Sequence, residues 1–225
     1  MSETVRLDLP DTTATIDPSG AVLLEAAGVL VVGDLHLGRA TVLQRAGLAL
    51  PGGSDDDDLD RLAAVTERTG AVRVILLGDV VHARAAAGPA LSAALARLGA
   101  LPVPVDALPG NHDPRLGELL HGSGVGLLPR RVRVAGAELT HHPRVRPAGA
   151  GARLRIAAHL HPVATLGRGP DAVRLPAVVV GRSDLTLPAF GSTTGGALVA
   201  PGPGRRVFAV TGASVHELPA RPATG

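Results

Sequence analysis

Apolar residues come along this chain in short, nearly continuous runs that stop at glycine. Residues 28–32 read GVLVV before Gly33, residues 72–77 read VRVILL before Gly78, and residues 103–109 read VPVDALP before Gly110. Runs this short and unbroken predict strands buried on both faces. Between them, residues 39–47 (RATVLQRAG), 54–70 (SDDDDLDRLAAVTERTG) and 89–99 (PALSAALARLG) read as helices, the last closed by Gly99. Ser54 or an early aspartate is expected to N-cap the second helix, and acids in its first turn suit the helix dipole. The acidic run itself reads as a solvated helix start, because consecutive acids on a helix point different ways.

The second half is mostly strand. Residues 131–140 (RVRVAGAELT) predict a hairpin turning at AGA, and 152–158, 177–180, 185–190 and 205–212 predict further strands, as do TVRLDL and AVLLE near the start. Strand–helix alternation followed by strands predicts an α/β fold, a four-layer α/β/β/α sandwich of two facing mixed sheets. With 225 residues and no internal repeat or long linker, the expectation is a single domain over 1–225.

Composition narrows the setting. Hydrophobic residues make up 45% and charged residues 19%, which is globular. There is no cysteine, so thiolate metal sites and disulfides are excluded. The opening MSETVRLDLP has no apolar leader core, and no apolar stretch is long enough to span a bilayer, so a cytoplasmic protein with no membrane partner is expected. The sequence pI of 10.7 suggests a nucleic-acid binder, but the formal net charge is only +2. With no lysine or tyrosine, almost nothing titrates between histidine and arginine, and a small excess drives the pI up. A bulk-charge argument for DNA binding therefore fails.

The strand ends carry the chemistry. They read GDLHLG (Asp34, His36), GDVVH (Asp79, His82), GNHD (Asn111, His112, Asp113), THHP (His141, His142) and AHLHP (His159, His161). Polar groups at the carboxyl ends of neighbouring strands converge on one crevice. Carboxylate, amide oxygen and imidazole together suit borderline divalent ions such as Mn, Fe or Zn. One D-x-H or H-x-H means little alone; five such segments, each after a strand, form a joint metal signal. His159 and His161, two apart at a strand end, are expected to share a face, with Leu160 turned into the core and Pro162 ending the strand.

In this order the motifs resemble those of the calcineurin-like metallophosphoesterases: D-x-H, G-D, G-N-H-[DE], a single histidine after a strand, and G-H-x-H. The resemblance implies two divalent ions, most simply Mn²⁺, one held by Asp34, His36, Asp79 and His161, the other by Asp79, Asn111, His141 and His159. Asp79 would bridge them. His142 is the alternative to His141, which is the first residue beyond the strand. Ala158 stands where the family has glycine; at a positive φ it would add roughly 1 kcal/mol of strain. The segments DLHLGRATVLQRAGLALPGG, GDVVHAR, AHLHPV and LPAFGSTTGG…RVFAV narrow the likeness to the PdeM-type, ligase-associated DNA damage response endonucleases. That implies a phosphodiesterase acting on single-stranded DNA in repair, working beside a DNA ligase, an exonuclease and a helicase. A homodimer is compatible with it.

The expected chemistry is attack by a hydroxide bridging the two ions. Two carboxylates and a hydroxide against two divalent ions leave the site slightly positive, which suits a phosphodiester monoanion. His112, next to a ligand but not one itself, is assigned as general acid, oriented by His82 or Asp113. Arg39, Arg84 and Arg115 are the leading phosphate contacts, with Arg45, Arg144 and Arg146 also near the motifs. There is no tryptophan or tyrosine and the only phenylalanines are Phe190 and Phe208, so recognition is expected to follow the backbone rather than base stacking. Two alternatives stand beside this: a phosphodiesterase or phosphatase for small nucleotides, and a non-catalytic scaffold, which the filled ligand positions disfavour.

Overall fold

Alternation along one strand separates two cores. In the strand Val29–Val32, Leu30 and Val32 pack toward the helices, while Val29 and Val31 pack toward a second sheet. The computed structural model describes residues 3–50, 53–82, 88–113, 115–143, 154–167 and 169–220. Its first sheet takes seven strands in chain order: β1 (Val5–Leu9), β2 (Thr12–Ile16), β3 (Val22–Leu24), β4 (Val29–Val32), β5 (Arg73–Leu76), β6 (Val105–Ala107) and β7 (Gly126–Leu127). Pairing is antiparallel from β1 to β4 and parallel from β4 to β7. Four helices, α1 (Arg39–Arg45), α2 (Ser54–Thr69), α3 (Pro89–Gly99) and α4 (Leu116–Leu120), supply the crossovers.

The second sheet holds β8 (Arg131–Val134), β9 (Ala137–Thr140), β10 (Arg155–Ala157), β11 (Pro162–Leu166), β12 (Val173–Val180), β13 (Asp184–Thr186), β14 (Ala197–Leu198), β15 (Arg206–Val210) and β16 (Val215–Glu217). Its order is β14-β11-β12-β13-β10-β9-β8, with β15 pairing both β12 and β16. Parallel β9–β10 and β10–β13 pairs make it mixed. Leu7, Ile16, Val31, Ile75 and Leu77 meet Leu139, Ile156, Val178, Leu185 and Phe208 between the sheets. Residues of α2 and α3 such as Leu62, Val65, Leu95 and Leu98 cover the other face of the first sheet.

The two facing mixed sheets match the expectation, with differences in detail. The outer face of the second sheet carries a small cluster, Ala164, Ala177 and Val207, and no α-helix covers it among the described residues. Strands β2, β11 and β16 escape a hydrophobicity reading because polar or small residues interrupt them. Residues 185–190 form strand only as far as Thr186, before Leu187 and Pro188. The helix 54–70 has Gly53 at its N-cap in the left-handed region, so neither Ser54 nor an aspartate caps it. Residues 152–153 of the predicted strand 152–158, and Arg84, Arg144 and Arg146, lie outside the described residues.

Candidate metal centre

Strand register brings the motifs together. Val32 pairs with Leu76 and Leu76 with Ala107, all parallel, so the segments starting at Gly33, Gly78 and Gly110 leave one sheet edge side by side. In the facing sheet β9 and β10 are also parallel, and Ala158 N–H donates to His141 O at 3.1 Å just beyond them. Close backbone approach demands glycine at the crossing points. A Cβ on Gly110 would overlap Asp79 Oδ1 and its backbone nitrogen, and one on Gly33 would overlap Pro188 O. Gly78, at φ +97°, lies against the His141 ring.

Asp34, His36, Asp79 and His141 are buried, each at most 3% exposed. His36 Nε2 lies 3.4 Å from His161 Nε2, and His161 Nε2 lies 3.3 Å from Asp34 Oδ2. His141 Nδ1–H donates to the Leu77 carbonyl at 2.8 Å, which fixes the tautomer and leaves a lone pair on Nε2. That Nε2 faces Asn111 Oδ1 at 2.8 Å, His159 Nδ1 at 3.2 Å and Asp79 Oδ2 at 3.4 Å. Asn111 Oδ1 and Asp79 Oδ2 are acceptors, and acceptors facing a lone pair call for a cation or an extra proton between them. Donor atoms of Asp34, His36 and His161, of Asp34, Asp79 and His141, and of His141, His142 and His159 each gather within 4.8 Å. Asp34 Oδ1 and His36 Nδ1 are buried without a hydrogen-bond partner among the described residues. Two buried carboxylates among converging imidazoles are costly unless a cation compensates them, and the donor set fits divalent ions.

The charges follow from this packing. Burial pushes the His36 imidazole down to about 4, against the pull of Asp34 and Asp79, so it is neutral at ordinary pH. In the metal-free protein burial alone would raise Asp79, but a hydrogen bond from the protonated His141 ring and one from the His112 N–H, at 2.8 Å, hold it well below the usual carboxylate range. For His141 burial acts downward and is outweighed by the hydrogen bond and charge of Asp79 and by Asp34, leaving it raised.

The backbone is strained at these residues. His36, Asp79, His159 and His161 have positive φ, of 52°, 46°, 68° and 43°. Ala158 is not among the positive-φ residues, so alanine there carries none of the strain anticipated for it. The H-x-H segment is not a strand end either. β10 stops at Ala157, residues 158–161 form a turn, and Pro162 begins β11 rather than ending a strand. Leu160 is 52% exposed instead of facing the core, because the left-handed residues on each side turn it out.

Other predicted residues sort by geometry. Asn111 and His112 are exposed at the rim, and the His112 ring lies edge-on to His36 with centroids 5.3 Å apart. His82 stacks on His112, centroids 5.3 Å apart and planes 21° from parallel, so any orienting effect acts through ring faces. Asp113 does not orient His112: its two oxygens accept the N–H groups of Gly110 at 2.7 Å and Val80 at 2.8 Å, fastening the second and third motif loops together. His142 is exposed, with its ring 4.0 Å from that of His159. His141, not His142, reaches Asn111 and Asp79. Arg39 Nη1 lies 3.3 Å from His82 Nδ1, whereas Arg115 pairs with Glu118 on the surface at 3.4 Å.

The acidic helix start is less solvated than its sequence suggests. Asp55 Oδ2 accepts Gly38 N–H at 2.8 Å, and buried Asp58 accepts the N–H of Ser192 at 2.9 Å and pairs with Arg61 at 2.9 Å. These two aspartates lock α2 to the loops behind Arg39. Their i,i+3 spacing, on the face continued by Leu59 and Leu62, was the available signal.

The calcineurin-like phosphoesterase family profile matches residues 28–161. A search of curated proteins found no match. The chain is also similar to a solved structure described as a nuclease, MPE, from Pseudomonas putida. That likeness has a TM-score of 0.78 and 25% sequence identity, and it covers 96% of this chain and 100% of the other. The family match spans every strand end that feeds the cluster, from β4 to His161, and the chain belongs to the calcineurin-like phosphoesterases, metal-dependent hydrolases of phosphoester bonds.

Proposed function

We propose that this protein is a divalent-metal phosphodiesterase that cuts nucleic-acid strands, with single-stranded DNA as its substrate and repair as its setting. The observation that carries the reading is the His141 Nε2 lone pair, turned by Leu77 onto Asn111, Asp79 and His159. The polynucleotide substrate is supported by the likeness to a protein described as a nuclease, and the single-strand and repair elements by the PdeM-type motifs.

Asp34, His36, Asp79 and His161 would hold one ion and Asp79, Asn111, His141 and His159 the other, with Mn²⁺ favoured by a donor set lacking sulfur. Such ions supply Lewis acidity toward phosphate oxygens and activate water. The chain's own groups do the rest. Asp34 and Asp79 set the charge of the site and orient its loops through the N–H groups of His159 and His112. His112, at the rim, donates a proton to the departing sugar oxygen. His82, with Arg39 behind it, supports the His112 ring and adds positive potential where a neighbouring phosphate would pass.

Incubation of circular single-stranded DNA with Mn²⁺ tests this. Wild type is expected to linearise the circle and Asp79→Ala to leave it intact. An uncut circle with wild type, under conditions where a small phosphodiester is hydrolysed, would remove the nucleic-acid part of the proposal.

A further inference from the structure

A strand continued past Ile156 would place residue 160 on the same face as Ile156 and Ala158, both fully buried between the sheets. The chain does the opposite. His159 and His161 both take left-handed conformations, and Leu160 between them is thrown outward to 52% exposure. Its N–H closes back on Ala158 O at 2.8 Å. On the far side His161 O accepts Ala197 N–H at 3.1 Å, and it lies so close to Gly196 that a Cβ there would overlap it. The loop is thus fixed at both ends, and the outward leucine is part of its built geometry. Strain of this kind persists only where the surrounding structure enforces it, and it concentrates at ligand-binding positions.

Leu160 is also singular in its place. The other large apolar side chains exposed among the described residues are Leu48, Val72, Leu127, Val173 and Leu198, and none has a candidate metal ligand on each side. Phe190 and Phe208 are buried, at 3% and 0% exposure, so neither can stack on a substrate. An apolar side chain exposed between two residues of a charged site gains nothing from phosphate or metal, but it matches the flat apolar face of a nucleobase. Aliphatic residues serve as base contacts in this way when they reach unstacked bases.

We propose that Leu160 is a substrate-contact residue, packing against the nucleobase next to the scissile phosphate. The proposal rests on the nucleic-acid reading above. It is tested by the Mn²⁺-dependent cleavage of two oligodeoxynucleotides, one ordinary and one with stable abasic units flanking the cut site. Leu160→Ala should raise KM for the ordinary strand about tenfold, the loss expected for the buried apolar area. It should leave KM for the abasic strand, bound metal and melting temperature unchanged, and Leu160→Met should behave as wild type. An unchanged KM on the ordinary strand, or an equal rise on both strands, overturns the assignment. A wild-type enzyme that hydrolyses bis(p-nitrophenyl) phosphate but neither strand overturns the nucleic-acid reading, and this inference with it.

Discussion

Arg39 meets His82 side-on, with Nη1 3.3 Å from Nδ1, while its Nε donates to Thr193 O at 3.1 Å. A guanidinium only donates, so His82 Nδ1 accepts and the ring proton resides on Nε2. Arg39 therefore sets the tautomer of the ring that stacks on His112. Loss of a charge-assisted hydrogen bond is worth about 1.5–3 kcal/mol, which predicts a fall in kcat of roughly ten- to a hundredfold for Arg39→Ala. Bound metal should not change. Arg39→Lys should recover only part, because an ammonium cannot hold both partners in a planar fork. Steady-state kinetics with metal analysis checks this, and wild-type turnover for Arg39→Ala would refute it.

For His112 the prediction depends on the leaving group. Its ring sits beside His36 and joins none of the clusters of converging donor atoms among the described residues, so His112→Ala should keep its metal. A general acid contributes typically 10²–10⁴-fold, and that loss should appear with alkoxide leaving groups. A p-nitrophenolate, which departs without a proton, should be nearly unaffected. Equal losses on both substrates would overturn the general-acid role and leave the ring a supporting part, since alanine keeps the backbone N–H to Asp79.

Much of this site was legible in the sequence, because parallel strands in register must deliver their carboxyl ends to one edge. Asp34, Asp79 and Asn111 follow glycines that the fold uses as crossing points, and Gly110 shows why: no side chain fits between it and Asp79. Less legible was anything set by backbone conformation. H-L-H read as an extended segment because alternation is the default after an apolar strand, but left-handed φ at His159 and His161 breaks the period and reverses Leu160. Asp55 and Asp58 were hidden in a run of acids, since composition marks such a run as solvated while helical spacing selects the two that face inward. Asp113 was misjudged for another reason. Its neighbour in sequence is His112, but its buried carboxylate is consumed by two backbone N–H groups from different loops.

Gly110→Ala tests the crossing. The new methyl would overlap Asp79 Oδ1 and the Asp79 nitrogen, neither of which can move without disturbing the His112 N–H and the strand end. Overpacking of a close-packed site costs about 1–3 kcal/mol, which predicts a melting temperature several degrees lower and weaker Mn²⁺ binding together. Thermal denaturation with and without Mn²⁺ reads both. Gly110 has no positive φ, and Gly195→Ala, where φ is likewise not positive and a Cβ meets nothing within 4 Å, serves as the control without overlap. A melting temperature for Gly110→Ala equal to that of the control would refute steric overlap at Asp79.

Metal loading should depend on pH through His141 rather than through His36. His141, raised by Asp79 and Asp34 against the effect of burial, stays protonated to a higher pH than an ordinary histidine in the metal-free protein. A protonated imidazole offers no lone pair and repels a cation, so metal must displace that proton. Affinity is then full above the His141 pKa and weakens as pH falls through it. The decline is by up to about tenfold per pH unit for each proton displaced. His36, already neutral because burial pushes it down to about 4, adds nothing to this decline until far more acidic conditions. Calorimetric Mn²⁺ titrations between about pH 5.5 and 7.5, in buffers of different ionisation enthalpy, should show proton release together with the loss of affinity. A dissociation constant that stays flat across that range, with no buffer-dependent heat, would mean that the His141 lone pair is not where the ion binds.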